Sequence, residues 1–328
     1  MLEMGEHATS SAPRRRWDLL SKAFEELKTG CSTSEKQPDT LRIVNNAATT
    51  RRFHGFGLFS REDVVIDGEQ WIRVTSRKDF AIEGYAATAY SAGEEHAGSD
   101  TVGTSSGSFE LFLRKEAAVC LTDLTGFDNT GNICIWPAEE VMAFWCLGNP
   151  SLFRGKRICE LGGGMASLGG NVIACTMPAE MLLLTDGNEK CCANCEAAIA
   201  QNRKRQTYSC ENVSSRRLRW DVTEDYRCLA ITFDVVIAAD CVFKAEYHEA
   251  LCRCIRHILK NDGIAIIFAP KRGNTLTDFV TRAKEYFEVL VSDRYSEDVF
   301  SLHEAQKTKS PEYSENLNYP LQVKLRIK

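Results

Sequence analysis

The amino-acid sequence predicts an α/β fold, a doubly wound Rossmann-like sheet that follows a β-rich N-terminal extension. Three observations support this class. An apolar run from Lys156 turns through three glycines at 162–164 and opens an apolar helix. A second apolar run, from Met181 to Asp186, also ends in an acidic residue. Strands then alternate with helices, and a last pair of strands closes the chain, as doubly wound sheets require.

Length and composition limit the classes of function. A chain of 328 residues has room for one α/β domain and an extension. The 40 basic and 45 acidic residues give a net charge of −5, and this argues against sequence-independent binding of nucleic acid. No signal peptide or membrane-spanning apolar run is evident. We therefore expect a soluble intracellular protein without nucleic-acid or membrane partners.

The 14 cysteines lie mostly within apolar helix or strand patterns. No pair of Cys-x-x-Cys motifs with zinc spacing is present in the sequence. We expect buried thiols in a reducing compartment, and no metal site.

Three segments are predicted. Residues 1–40 comprise a disordered start and an amphipathic helix near Trp17, and residues 41–125 form the β-rich extension. In this extension Asp67-Gly68 joins two β-prone runs as a hairpin, residues 86–108 form a loop, and a strand returns from Phe109. Residues 126–328 form the α/β domain, whose expected strands after residue 186 are 233–240, 263–270, 289–293 and 321–327, with helices at 189–201, 246–259 and 275–287.

The glycine-rich turn indicates the kind of cofactor. Gly162 and Gly164 allow close approach of a ligand at the carboxyl end of the first strand. Glu160 stands just before them, where its carboxylate would repel a pyrophosphate at the helix N-terminus. A cation suits this site better, and S-adenosyl-L-methionine carries a sulfonium and an ammonium but no phosphate. Asp186, at the end of the second strand, is placed to accept hydrogen bonds from ribose hydroxyls, although NAD enzymes use the same device.

Several motifs follow one another along the chain: Phe127–Pro137, Cys159–Met165, Leu183–Lys190, Leu218–Asp221, Ala239–Phe243, Phe268–Leu276 and Glu315–Pro320. In this order they resemble the seven-β-strand protein lysine methyltransferases, and most closely those members that act on calmodulin. The resemblance covers about residues 51–328 without the 86–108 loop.

This resemblance implies a seven-stranded methyltransferase sheet and S-adenosyl-L-methionine as cofactor. It also implies methyl transfer to a lysine of calmodulin, by a monomer in the cytoplasm and nucleus. The implied cofactor residues are Trp136, Glu160, Gly162, Gly164, Asp186, Trp220 and Ala239. The implied catalytic residues are Asp240 and Phe243, because the family's Asp-x-x-Tyr motif is Asp240-Cys-Val-Phe243 here. The phenol is therefore absent, an aromatic wall remains, and Asp240 either orients the incoming ammonium or caps the strand end.

Other functions stay open at the level of the sequence. The same fold serves methyltransferases of other proteins or of small molecules, catalytically silent binding modules and, more distantly, NAD-dependent oxidoreductases. For an acidic protein substrate, local basic residues must supply the attraction. We expect Lys271-Arg272 on the rim of the sheet, together with Arg51-Arg52 and Arg73, to do so, although each is equally well explained as solvated surface charge.

Overall fold

The computed structural model describes residues 55–77, 109–115 and 135–328. The strands are β1 (Phe59–Ile66), β2 (Glu69–Ser76), β3 (Glu110–Arg114), β4 (Arg157–Leu161), β5 (Met181–Asp186), β6 (Val213–Arg217), β7 (Phe233–Ala239), β8 (Leu259–Pro270), β9 (Phe287–Ser292) and β10 (Pro320–Ile327). The α-helices are α1 (Pro137–Leu147), α2 (Leu168–Thr176), α3 (Glu189–Lys204), α4 (Thr223–Tyr226), α5 (His248–Ile258), α6 (Thr275–Ala283), α7 (Glu297–Lys309) and α8 (Glu315–Asn318).

The main sheet has seven strands in the order β6-β5-β4-β7-β8-β10-β9. Strands β4 to β8 run parallel to one another, and β10 is antiparallel to both of its neighbours, β8 and β9. The predicted doubly wound seven-stranded sheet is thereby confirmed. Parallel strands place their carboxyl ends at one edge of the sheet, which is where such folds bind ligands.

Both faces of the sheet are covered, and this is why its central strands β5, β7 and β8 contain continuous apolar runs. Along β7, Val235 and Ile237 face the cluster that contains α1 and α2. Val236 and Ala238 face the other cluster, which contains α5 and α6. This alternation is the two-residue period of a strand. The sheet therefore forms a rigid central layer, and its edge positions the loops that follow β4, β5, β7 and β8.

The N-terminal hairpin is also confirmed. Strands β1 and β2 pair antiparallel up to Ile66 and Glu69, so that Asp67 and Gly68 alone form the turn. Both turn residues have positive φ, 53° and 83°, the backbone that Asp-Gly hairpins favour. The third strand, β3, pairs with β2 and packs on α3, so this small sheet shares one apolar core with the α/β domain.

Some elements differ from the sequence-based expectation. The segment Val213–Arg217 is an edge strand, β6, although its serines and arginines give no apolar pattern. The helix expected over 275–287 ends at Ala283, because strand β9 begins at Phe287. Helix α7 was not expected at all. The expected N-terminal helix, the 86–108 loop and the loop before Ile135 lie outside the described residues.

The described residues contain neither a candidate membrane-spanning helix nor a candidate metal-binding cluster. None of the helices described is long and apolar enough to cross a membrane. Within the same ranges, no group of three or more His, Cys, Asp or Glu side chains is arranged to hold a metal ion. Ten of the eleven described cysteines are buried, and each is a free thiol.

Candidate active site

The glycine-rich loop joins β4 to α2 at the carboxyl edge of the sheet. Gly162 and Gly164 have φ of 63° and 60°, a conformation that disfavours any side chain. A Cβ added at Gly162 would lie 2.7 Å from the sulfur of Cys241 and 3.0 Å from the ring of Trp220. The N–H of Gly163 donates to the carbonyl of Thr185 at 2.9 Å. Glycine at 162 is therefore required by both backbone conformation and space.

Asp186 fixes this loop from the end of β5. One carboxylate oxygen accepts the N–H of Gly164 at 2.8 Å, and the other accepts the N–H of Asn188 at 2.8 Å. A carboxylate has about four acceptor positions. The geometry thus places Asp186 beside the loop, as a strand-end acceptor for ribose hydroxyls should be, and gives it a second task in holding the loop.

Glu160 points in a direction that the sequence does not reveal. Its carboxyl is 1% exposed and lies beneath the start of α2, where one oxygen accepts the N–H of Gly170 at 3.0 Å. The other oxygen has no hydrogen-bond partner among the described residues. Burial, followed by the nearby charge of Glu139, raises the pKa of Glu160 to about 8. The carboxyl therefore lies below the loop and holds the start of α2.

Glu139 is the second buried acid under the loop. Its two oxygens accept the N–H of Leu168 at 2.9 Å and the N–H of Trp136 at 3.3 Å. Burial raises its pKa to about 7, and the two backbone hydrogen bonds oppose that rise. One side chain thus ties the start of α1 to the start of α2. The sequence indicates only an acid that suits the dipole of a helix, not this link.

Trp220 and Ala239 lie on segments beside the glycine-rich loop. The indole of Trp220 packs near Gly162, and its segment is held by the N–H of Leu218, which donates to the carbonyl of Asp186 at 2.9 Å. Ala239 is the last residue of β7, the strand next to β4. Strand order therefore brings together, from four separate segments of the chain, the predicted cofactor residues other than Trp136.

Beyond β7 lies a group that we call the cation cage, formed by Asp240, Arg272, Trp136 and Phe243. The guanidinium of Arg272 donates to the Asp240 carboxylate at 2.7 Å. Its central carbon also lies 5.8 Å from the centre of the Trp136 ring and 5.5 Å from the centre of the Phe243 ring. Both are within the distance at which a cation is attracted to an aromatic face.

The residues of the cage are partly buried, and the backbone at Asp240 and Arg272 is strained. The Asp240 and Arg272 side chains are only 10% and 16% exposed. Both residues have positive φ, 55° and 46°, as does Ser167 at the start of α2, with 40°. Non-glycine residues rarely adopt this region, and such strain is concentrated at functional sites.

The role expected for Arg272 as an exposed docking charge is wrong, because its guanidinium is bound to Asp240 and largely buried. Lys271 differs, since its side chain is 49% exposed and lies 3.6 Å from Glu315. One feature of the sequence indicates that Arg272 lies near Asp240. Lys271 and Arg272 follow β8, the neighbour of β7, so both lie at the edge where Asp240 lies.

The residues present fit S-adenosyl-L-methionine. The loop carries no side chain at Gly162, where Cys241 and Trp220 leave no room for a Cβ. Asp186 offers carboxylate oxygens at the next strand end, and Trp220 offers an aromatic face. Glu160 and Glu139 lie beneath the loop and accept the N–H groups of Gly170 and Leu168, which fixes the start of α2. Fold and site together therefore define an S-adenosylmethionine-dependent methyltransferase.

Comparison with known proteins shows to which family of methyltransferases the chain belongs. A family model described as lysine methyltransferase matches residues 103–290. The calmodulin-lysine N-methyltransferase of Arabidopsis thaliana is 30% identical over 331 residues, which are 97% of each chain. The protein N-lysine methyltransferase METTL21A of Danio rerio is 25% identical over 54% of this chain and 78% of its own. The chain belongs to the lysine methyltransferase family, whose cofactor is S-adenosyl-L-methionine.

Among solved structures, a TehB-like SAM-dependent methyltransferase from Corynebacterium glutamicum is similar, with a TM-score of 0.40 and 17% identity over 57% of this chain and 87% of that chain.

Proposed function

We propose that this protein transfers a methyl group from S-adenosyl-L-methionine to a lysine side chain of calmodulin. The observation that carries the choice of an amine acceptor is the cation cage. It lies next to the glycine-rich loop, because the sulfur of Cys241 contacts the carbonyl of Gly162 at 3.8 Å and Cys241 directly follows Asp240. The choice of calmodulin is supported by the relative from Arabidopsis thaliana, which matches along nearly the whole chain.

The cofactor would be held by the residues around the loop. Gly162 and Gly164 supply open backbone, Asp186 supplies oxygens for the ribose, and Trp220 supplies a face for the adenine. When bound, S-adenosyl-L-methionine supplies an electrophilic methyl group that a neutral amine accepts by in-line displacement. The task of these residues is to fix the orientation of the reactants, which is the main source of rate in such a displacement.

The acceptor requires a different kind of help. A lysine of ordinary pKa is an ammonium near neutral pH, and removing its proton in water costs about 4–5 kcal/mol. An apolar surface beside Trp136 and Phe243 would favour the neutral amine. Because residue 243 is Phe and not Tyr, its aromatic face, and no hydroxyl, would favour the neutral amine. Asp240 defines the polar end of the same site.

Recognition of an acidic protein substrate requires local positive charge, because the chain as a whole has a net charge of −5. Lys271 directly precedes Arg272 of the cage, and Arg73 on β2 belongs to the small sheet. Arg73 is paired with two carboxylates, Glu62 and, at 3.3 Å, Glu110, whereas Lys271 is paired with Glu315 at 3.6 Å. Because Lys271 lies beside the cage, it is the better candidate for steering, which affects the rate of encounter and the register of binding more than affinity.

The proposal is tested with purified protein, labelled S-adenosyl-L-methionine and a panel of acceptors. The panel contains calmodulin, calmodulin with its lysines acetylated, a set of unrelated acidic proteins and a set of small-molecule amines. We expect labelling of calmodulin alone, with none on the acetylated form, because an amide nitrogen does not accept the methyl group. Equal labelling of other proteins, or labelling of small molecules only, would contradict calmodulin as the acceptor and favour the alternative methyltransferase functions.

A further inference from the structure

The ion pair between Asp240 and Arg272 changes what the cation cage can bind. A lone carboxylate between two aromatic rings would attract an ammonium and keep it protonated. Here the guanidinium already lies 2.7 Å from that carboxylate, so the polar end of the cage has no net charge. Methyl transfer needs the amine lone pair, and a neutral site does not oppose the loss of the proton.

We propose that Arg272 is a positioning residue that neutralises Asp240, so that the acceptor site receives the lysine side chain as the neutral amine. This inference rests on the proposed function, because it concerns the acceptor of that same site. Backbone hydrogen bonds fix the positions of both Arg272 and Asp240. Its backbone N–H donates to the carbonyl of Asn316 at 2.7 Å, while Asp240 is fixed by its own N–H, which donates to the carbonyl of Phe268 at 2.8 Å.

Other charged groups surround the pair and have to be distinguished from it. Lys271 lies beside Arg272 and is paired with Glu315 of α8 at 3.6 Å, and Lys244 is 3.6 Å from Glu246. The thiol of Cys241 has its pKa raised well above its ordinary value by burial, so it remains neutral. On the loop side, Asp186, Glu139 and Glu160 carry the remaining carboxyls. All of these groups are unchanged in the variants below, so their titration cancels in the comparison.

The test compares four proteins: wild type, Arg272→Lys, Arg272→Met, and Asp240→Asn combined with Arg272→Met. The measured quantity is the single-turnover rate of methyl transfer to calmodulin against pH, which reports ionisation in the bound complex. Arg272→Met leaves Asp240 charged and should move the midpoint upward by about one pH unit or more. Arg272→Lys keeps the charge and should keep the midpoint near that of wild type. The double variant removes both charges and should return the midpoint to that of wild type.

A second measurement needs no turnover. Binding of n-butylamine to each protein is followed by ligand-observed nuclear magnetic resonance at several pH values. Wild type should bind the amine more tightly as pH rises toward the pKa of the amine, because it takes the neutral form. Arg272→Met should lose that dependence, because Asp240 then prefers the ammonium.

Several results would overturn the inference. The first is an Arg272→Met profile that superimposes on that of wild type, and the second is a double variant that stays shifted. If Arg272→Met does not fold, the other two variants decide. A pH midpoint of Arg272→Lys or of the double variant that differs from that of wild type then contradicts the proposal. Wild type that leaves calmodulin unmethylated contradicts the proposed function instead, and the amine-binding measurement then decides the role of Arg272 by itself.

Discussion

At the scale of single residues, the site depends on a few positions where backbone and space leave little choice. Among the described residues other than glycine, six have positive φ, and three of them, Ser167, Asp240 and Arg272, surround the candidate active site. Strain of this kind persists only where the surrounding structure enforces it. The loop and the cation cage are therefore the parts in which single substitutions should have specific effects.

Gly162→Ala tests the loop. The new Cβ would lie 2.7 Å from the sulfur of Cys241 in a backbone of positive φ, so we expect cofactor binding to fall below detection in titration calorimetry. Gly155→Ala is the matched control, because Gly155 has φ of 66° and nothing within 4 Å of an added Cβ. It should bind the cofactor as wild type does. A folded Gly162→Ala protein with normal affinity would place the cofactor elsewhere.

Asp186→Ala tests the strand-end acceptor. It removes hydrogen bonds to a charged group, each of which contributes about 1.5–3 kcal/mol, so cofactor affinity should fall tenfold or more. The control is Asp262→Ala, an exposed acid near the amino end of β8, which should leave affinity unchanged. Calorimetry showing equal dissociation constants for both variants would refute the assignment of Asp186.

At the scale of elements, the small N-terminal sheet is fastened to the α/β domain by buried side chains. Asn202 of α3 accepts the N–H of Phe112 at 2.9 Å and donates to its carbonyl at 2.7 Å. Glu140 of α1 accepts the N–H groups of Phe56 at 2.9 Å and Leu58 at 2.8 Å. These bonds use backbone groups of the edge strand β3 and of the segment before β1, so the described part of the extension is anchored to the α/β domain.

Asn202→Ala tests this fastening. The substitution leaves the N–H and carbonyl of Phe112 buried without their partner, at about 1–3 kcal/mol for each group. We expect the free energy of unfolding in urea to fall by that order, while Asn212→Ala, at an exposed position, should change it little. Equal stability of the two variants would show that the extension does not depend on this contact.

At the scale of the whole molecule, two buried carboxyls make stability depend on pH. Glu139 and Glu160 have pKa values raised from 4.5 to about 7 and about 8. Between the ordinary and the raised values the folded state holds more protons than the unfolded state. Stability from these groups is thus fully present below about pH 4.5 and is lost as pH rises through 7 and 8.

Glu160→Gln should flatten this dependence. The quantity to measure is the difference in unfolding free energy between wild type and variant across that window, because the lowered pKa of His303 acts in the opposite direction in both proteins. We expect the wild type to lose stability relative to Glu160→Gln as pH rises, by at most about 1.4 kcal/mol per pH unit. A difference that does not change with pH would mean that Glu160 is ionised throughout.

The sequence predicted the sheet better than the site. Apolar runs that end in an acid marked the ends of β4, β5 and β7, because parallel strands buried on both faces leave a strong signal. Strand β6 was missed because Ser214 and Arg216 suit an edge strand as well as a loop. The partner of Asp240 could not be predicted, since Arg272 is 32 positions away and meets it only when β7 and β8 lie side by side. Nor does the sequence tell that Glu160 turns under α2.

Intact-mass analysis of calmodulin tests whether the protein methylates one of its lysines. Calmodulin is incubated with the protein and S-adenosyl-L-methionine carrying a heavy methyl group, and its mass is then measured. We expect whole increments of that methyl mass on calmodulin with wild type, and none with Gly162→Ala. Unmodified calmodulin after incubation with a wild-type protein that binds the cofactor would contradict this expectation.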